Sequence, residues 1–212
     1  MGIATGAYGV GCGALGVAAG LSVTQTMVTS LLLFSGGSQF AFFGVVGAGG
    51  SPAAAVATST LLGVRNAFYS LTMAKLLRPH GWRRATAAHL TIDESTAVAT
   101  AQTSPPEIAR GFWTTGVTVF ILWNVMTATG ALIGDAMGDP RNYGLDAAAA
   151  AAFLALLWPR LRGQDSLATT VLAIVLTLVV APFTPSGVPV LVAALAALTI
   201  GIPRWTARTR QT

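Results

Sequence analysis

The fold is decided by Ala53–Ala74, AAAVATSTLLGVRNAFYSLTMA, an apolar run long enough to cross a bilayer. About 20 apolar residues span the hydrocarbon core. Arg65 and Asn66 lie near the middle of the run, where a guanidinium costs at least ~2.5–3.5 kcal/mol on insertion scales. A chain tolerates that cost where the charge faces a protein-lined cavity and has a partner. The run therefore predicts an integral membrane protein with a buried polar site.

Composition supports this prediction. The chain is 53% hydrophobic and 9% charged, with a mean hydropathy of +0.68, whereas roughly 25% of residues in ordinary soluble domains are charged. The net charge of +5 does not indicate a nucleic-acid partner, because the basic residues lie at segment ends without interleaved aromatic residues. Charges placed in this way determine membrane topology. We expect one integral membrane domain over residues 1–212, embedded in the lipid bilayer.

Apolar segments recur along the chain and predict an all-α, polytopic transmembrane helix bundle of about seven spans. They cover residues 3–20, 24–47, 53–77, 111–133, 145–159, 167–181 and 188–202. The connections that carry basic residues hold Lys75, Arg78, Arg83, Arg84, Arg160 and Arg162, and the tail holds Arg204, Arg208 and Arg210. The connections at 47–52 and 182–189 carry no charge. Basic connections stay in the cytoplasm, so a multi-pass chain with a cytoplasmic C-terminus and, given seven spans, an external N-terminus is expected.

Residues 88–103 are helix-prone, but they contain Asp93 and Glu94 and are too short to cross a membrane alone. Thr91 and Glu94 have the spacing of a capping box. We predict a re-entrant or half-membrane helix that begins near Thr91. A helix on the cytoplasmic surface is the alternative.

Glycines recur in the first segment at intervals of four and three residues, which places them on one face of a helix. They are Gly2, Gly6, Gly9, Gly13, Gly16 and Gly20. Stripes of small residues let membrane helices approach closely. We expect a packing face, either within the chain or against a second protein.

The second segment contains Ser35, Gly36, Gly37 and Ser38, followed by Gln39. Adjacent glycines favour local unwinding, and Ser and Gln can satisfy the freed backbone groups. Many transporters build midplane sites from broken helices, because the N-terminus of a half-helix attracts a carboxylate. We predict a broken second helix. A continuous, tightly packed helix with a hydrogen-bonded Gln39 is the alternative.

Arg65 requires a counter-charge, and Asp93 and Glu94 are the acidic residues outside evident loop positions. Such a pair could serve only to hold the fold. In the functional interpretation, Arg65 binds an anionic substrate group bidentately. Asp93 or Glu94 then recognises an ammonium group or carries a proton, because burial favours the neutral form of a carboxylate. Opposite charges between apolar walls suit a zwitterion with an apolar side chain, which describes an amino acid.

The sequence shows no signature of an enzyme. It lacks the Gly-x-Ser-x-Gly, His-Glu-x-x-His and Walker A patterns, and its two histidines and one cysteine are too few for a convincing transition-metal site. We therefore expect no catalytic residues, no metal and no cofactor. The alternative to transport is a membrane scaffold or assembly subunit whose polar residues are purely structural.

Several of these features follow one another in a characteristic order. They are the glycine-rich first helix ending in Ala18–Ser22, the run Ser35–Phe40, the Arg65 span ending in Tyr69, Asp93 with Glu94, and Gly144, Leu145 and Asp146 with Phe153–Leu156. In this order and spacing the sequence resembles the AzlC-type branched-chain amino acid permease family, the large subunit of two-component exporters. The resemblance covers nearly the whole chain.

The resemblance implies an inner-membrane exporter of branched-chain amino acids, and in some members methionine, driven by the proton motive force. It also implies a small AzlD-type membrane subunit as partner. The family pattern supports Gln39, Arg65, Tyr69, Asp93, Glu94 and Asp146, and the chain departs from it at Gly63, Asn66 and Ile92. The predicted substrate-binding residues are Ser35, Gly36, Gly37, Ser38, Gln39, Arg65, Asn66 and Tyr69, with Asp93 and Glu94 for proton or ammonium coupling.

Overall fold

The structure, a computed structural model, describes residues 2–138, 154, 157–158, 161–196 and 199, and these residues form helices without a strand. The helices are α1 (Gly2–Ala18), α2 (Val23–Leu32), α3 (Gly36–Gly47), α4 (Pro52–Leu77), α5 (Trp82–His89), α6 (Asp93–Thr100), α7 (Pro105–Ala136) and α8 (Gln164–Val180), which continues into a 3₁₀ turn (Ala181–Phe183). Residues 188–196 are also helical. The all-α prediction is confirmed for this part of the chain. The features predicted at Gly144, Leu145, Asp146, Phe153, Arg160, Arg204, Arg208 and Arg210 lie outside the described residues.

Length and composition qualify two described stretches as candidate membrane spans, Pro105–Ala136 and Gln164–Phe183. α4 has 26 residues, which makes it about 39 Å long, and Arg65 lies close to its midpoint. Its start is set by Pro52 in the first turn and by Ser51, whose Oγ accepts a hydrogen bond from the Ala54 N–H at 3.2 Å. The helix therefore holds the Arg65 guanidinium far from both of its ends.

α1 packs against α7 along the predicted glycine stripe. A Cβ at Gly9 would lie 2.7 Å from the carbonyl oxygen of Trp123, and one at Gly13 would overlap the carbonyl oxygen of Thr127. Only glycine allows backbones to approach this closely. The stripe is thus a packing face within the chain. Because both helices advance together through these contacts, α1 and α7 run parallel.

α2 and α3 form a hairpin, which corrects the prediction of one broken span over residues 24–47. A Cβ at Gly47 would lie 3.3 Å from the Cβ of Ala19, so α3 ends beside the end of α1, where α2 begins. The two helices have 10 and 12 residues, or about 15 and 18 Å, roughly half the hydrocarbon core. The chain leaves helical geometry between Leu32 and Gly36, and the two glycines open α3. This segment enters and leaves at one end of the molecule.

α5 and α6 form a second hairpin at the opposite end. α5 follows the basic end of α4, and its last residue, His89, has its ring centroid 5.6 Å from that of Phe120, well inside α7. α6 then returns towards the start of α7, where a Cβ at Gly111 would meet Val98 at 3.2 Å. The predicted half-membrane helix is therefore α6, the second helix of a hairpin, which runs from the hairpin tip towards the start of α7.

The capping box predicted for Thr91 and Glu94 is wrong. The hydroxyl of Thr91 donates instead to the carbonyl oxygen of Ala87 at 2.7 Å. The hydroxyl of Ser95 accepts from the Ile92 N–H at 3.1 Å, so α6 begins at Asp93. Both carboxylates consequently stand in the first turn of α6.

The two hairpins meet tip to tip. The ring of Phe34, between α2 and α3, lies 5.9 Å from the ring of His89 and 5.0 Å from that of Phe120. At the end of the molecule where α1 and α3 end, Ser186 Oγ donates to the carbonyl oxygen of Ala48 at 2.8 Å, which joins the connections at 47–52 and 182–189. α1 runs parallel to α7 but begins near its middle, because a Cβ at Gly6 would lie 3.1 Å from the Cβ of Leu122. The count of seven spans stays a prediction, since two described stretches qualify as candidate spans by length and composition.

Candidate functional site

A cavity of about 430 Å³ lies where the two hairpin tips meet, between α1, α4 and α7. Its volume falls within the range of about 300–1,000 Å³ that is typical of small-molecule sites. The cavity brings together most of the predicted site residues, namely Ser35, Gly36, Gly37, Arg65, Asn66, Asp93 and Glu94. Residues that are far apart in sequence therefore line the same cavity, because the tips of the two hairpins meet there.

Arg65 and Asp93 form an ion pair in the cavity wall. Arg65 Nη1 donates to Asp93 Oδ2 at 2.7 Å, and the two side chains remain 35% and 29% exposed. The predicted pairing of Arg65 with a carboxylate is confirmed. A guanidinium in the middle of a long apolar helix needs such a partner, and its partial exposure leaves the rest of the group accessible from the cavity.

The N-terminus of α3 faces the other side of the guanidinium. A Cβ at Gly37 would lie 3.5 Å from Arg65 Nη2, and one at Gly36 would lie 3.0 Å from Cη2 of Trp123. No acidic residue stands in the first turn, and no side chain caps it, since Ser35 Oγ is bonded to Ser38 Oγ at 3.0 Å. The first amide groups of a helix lack partners within the helix and carry partial positive charge. This corner of the cavity therefore favours an anion.

The negative charge lies on the side of Arg65 that faces away from α3. Asp93 and Glu94 occupy the first turn of α6, and Glu94 Oε1 accepts from the hydroxyl of Thr5 at 3.5 Å. Asn66 also lines the cavity, and its Oδ1 is buried without a hydrogen-bond partner in the part of the chain that the structure describes. Two carboxylates and an amide oxygen suit a hydrogen-bond-donating cation such as a primary ammonium group.

The remaining walls are apolar and include aromatic rings. They are formed by Tyr8, Phe34, Phe40, Leu62, Ile92, Val119, Trp123 and Leu157. Trp123 and Phe40 meet edge to face, with centroids 6.4 Å apart. These residues were not predicted as site residues, because an apolar residue in an apolar helix gives no signal that distinguishes a cavity wall from a lipid-facing or packed position.

Three predicted residues lie outside the cavity lining. Ser38 is buried and bonded to Ser35, and Gln39 is buried and bonded to surrounding protein groups. Tyr69 lies one helical turn beyond Arg65 on α4, and the cavity ends before it. Their direct contact with a substrate stays a prediction.

Comparison with known protein families matches residues 1–137 to the family described as AzlC protein. The matched region contains α1 to α7, hence both hairpins, and every lining residue except Leu157. The match indicates a membrane protein of the amino-acid permease type. Comparisons with curated proteins and with solved structures gave no significant match.

Proposed function

The chain belongs to the AzlC family, and from this premise we propose that it is a secondary transporter that exports branched-chain or other apolar amino acids. It acts with a small AzlD-type membrane subunit in the inner membrane and uses the proton gradient. One observation carries the proposal: a cavity with apolar walls holds a guanidinium between a helix N-terminus on one side and two carboxylates on the other.

The substrate carboxylate binds between Arg65 and the start of α3. Nη1 of Arg65 is engaged by Asp93, whereas Nη2 points towards Gly37. An anion placed there accepts hydrogen bonds from the guanidinium and from helix N–H groups. Glycine at the first positions of α3 supports this assignment, because a side chain would occupy the same space.

The ammonium group of the substrate binds at the start of α6. Asp93 and Glu94 supply negative charge there, and the buried Oδ1 of Asn66 supplies a further acceptor. The same carboxylates are the candidates for proton coupling, because a proton and an ammonium group compete for one site. Binding the substrate would weaken the Arg65–Asp93 pair, which links occupancy of the cavity to the positions of α4 and α6.

The substrate side chain contacts the aromatic and aliphatic walls. Burial of apolar surface contributes roughly 25 cal/mol per Å², so a side chain such as that of leucine binds more tightly than that of alanine or a polar residue. Basic residues at the C-terminal end of α4 and in α5 favour a cytoplasmic location for this end of the molecule. The C-terminal tail, which carries Arg204, Arg208 and Arg210, is then cytoplasmic as well.

Reconstitution of the protein with its small membrane subunit in proteoliposomes tests the proposal. Labelled leucine or methionine should move when a proton gradient is imposed, and Arg65→Ala and Asp93→Asn should each reduce the flux about 100-fold. A leucine-dependent rise of the melting temperature in detergent should disappear in the same variants. A wild-type protein that neither moves nor binds apolar amino acids, while Arg65→Ala lowers its stability, would indicate the structural scaffold instead.

A further inference from the structure

Gln39 anchors the tip of the α2–α3 hairpin. It lies in the first turn of α3, its side chain is fully buried, and it does not line the cavity. Nε2 donates to the carbonyl oxygens of Leu33 at 2.6 Å and Ser30 at 3.1 Å. These carbonyls belong to the end of α2, where the helix provides no further N–H groups. The side-chain amide thus donates to backbone carbonyls that would accept from helix N–H groups if α2 continued.

The oxygen of the same amide holds the cavity wall. Gln39 Oε1 accepts from Nε1 of Trp123 at 2.7 Å and from Sγ of Cys12 at 3.3 Å. The Trp123 ring lines the cavity directly beside Gly36. A side-chain amide has two N–H donors and two acceptor lone pairs, and protein groups engage all of them here. No hydrogen-bonding capacity is left for a ligand.

We infer that Gln39 is a positioning residue that holds Trp123 and the start of α3 in one relative geometry, and thereby sets the size of the apolar side chain that the cavity accepts. The inference rests on the proposed function, because size selection is expressed on the transported amino acid. Gln39 was predicted to contact the substrate, and its role here is instead to connect Trp123 with the tip of the α2–α3 hairpin.

The physical reason is the cost of unpaired buried polar groups. Without the Gln39 amide, the indole N–H and the carbonyl of Ser30 lose these partners in an apolar interior, where such a loss is expensive. The Leu33 carbonyl keeps only the Ser35 N–H. The tip then shifts towards new partners. The Trp123 ring already lies so close to Gly36 that a Cβ at this position would be 3.0 Å from Cη2 of the ring. Any shift of the tip therefore changes the contact between Gly36 and Trp123. The apolar part of the cavity therefore changes shape, while Arg65 and Asp93 stay in place.

Size-graded transport tests the inference. The wild type, Gln39→Met and Trp123→Phe are reconstituted, and flux is measured for alanine, valine, leucine and phenylalanine. Cys12→Ala is the matched control, because it removes the other donor to Gln39 Oε1 and lies outside the cavity lining. We expect Gln39→Met to raise KM for the preferred substrate about tenfold, equivalent to 1.4 kcal/mol, and to flatten the leucine-to-phenylalanine ratio. Trp123→Phe should flatten the ratio as well, and Cys12→Ala should leave it unchanged.

A readout that does not depend on transport completes the test. The indole ¹⁵N–¹H signal of Trp123, assigned by its absence in Trp123→Phe, should move in Gln39→Met and stay in place in Cys12→Ala. Flux with an unaltered size ratio in Gln39→Met would overturn the inference and leave the proposed function standing. If the wild type moves no amino acid, the proposed function fails. The indole signal then decides the positioning role: a shift in Gln39→Met supports it, and an unchanged signal overturns it.

Discussion

The two hairpins present half-helix N-termini of opposite character to one cavity. α3 opens with Gly36 and Gly37 and has no acidic residue in its first turn, whereas α6 opens with Asp93 and Glu94. Both termini carry the same partial positive charge. α3 leaves this charge available to an anion, and α6 covers it with its own carboxylates. A helix N-terminus therefore forms both the anion-binding and the cation-binding part of the site. The residues in the first turn of each helix decide which charge that part binds.

The largest effect on stability should come from the α1–α7 pair, against which both hairpins pack. Gly13→Ala places a methyl group on the carbonyl oxygen of Thr127, and we expect it to destabilise the protein by about 3 kcal/mol, as overpacking does. Thermal unfolding in detergent measures the change. Gly11→Ala, in the same helix, meets nothing within 4 Å and should unfold like the wild type. Equal melting of the two variants would contradict the close α1–α7 contact.

Exchanging the charges of Arg65 and Asp93 tests the polarity directly. Each single neutralisation should reduce flux about 100-fold, equivalent to about 2.8 kcal/mol, because it leaves a charge without its partner in an apolar surrounding. The double variant Arg65→Asp with Asp93→Arg should regain the melting temperature of the wild type without regaining flux. A swapped protein that transports normally would show that the pair only holds the fold.

A methyl group at the start of α3 probes the anion corner. Gly37→Ala enters the space between α3 and Arg65 Nη2, where ordinary contact distance remains for Cβ but not for a carboxylate. KM for leucine should rise about tenfold, with little change in stability. Gly63→Ala is the matched control on α4: its Cβ contacts Ser38 Oγ at 3.4 Å, outside the cavity lining. Kinetics that change equally in both variants would argue against a carboxylate at this corner.

The smallest effect is expected at Glu94. Asp93 binds the guanidinium at 2.7 Å, whereas Glu94 has only the long contact of 3.5 Å with Thr5. Glu94→Gln should therefore change KM by about threefold, well below the loss in Asp93→Asn. Glu107→Gln, in the first turn of α7, controls for removing a carboxylate elsewhere. An equal loss in Glu94→Gln and Asp93→Asn would make the two carboxylates equivalent.

Features with a high local energetic cost could be predicted from the sequence. A charge in the middle of an apolar helix must find a counter-charge, and so the position of Arg65 alone predicts its pairing with Asp93 or Glu94. The glycine stripe of α1 is equally explicit, because its spacing fits a helix face and its residues suit little other than close packing.

The α2–α3 hairpin could not be predicted, because hydropathy measures the apolar character of a segment and not its direction. Residues 24–47 are long enough to cross, and a helix that turns back at Phe34 has the same composition as one that continues. The predicted external N-terminus depends on the same count of crossings. Gln39 was predicted as a ligand contact, since a buried amide is conspicuous in sequence while the carbonyls that satisfy it are not.

The buried thiol of Cys12 has a practical consequence. It is the single cysteine of the chain, and its side chain is fully buried. Reagents that attack thiols need an accessible thiolate, so the native protein should react very little with thiol-directed labels. Cysteines introduced at Leu32 and Trp82, which are 76% and 73% exposed on the two hairpins, would accept a pair of spin labels. The distance between the labels would then record how the hairpins move during the transport cycle.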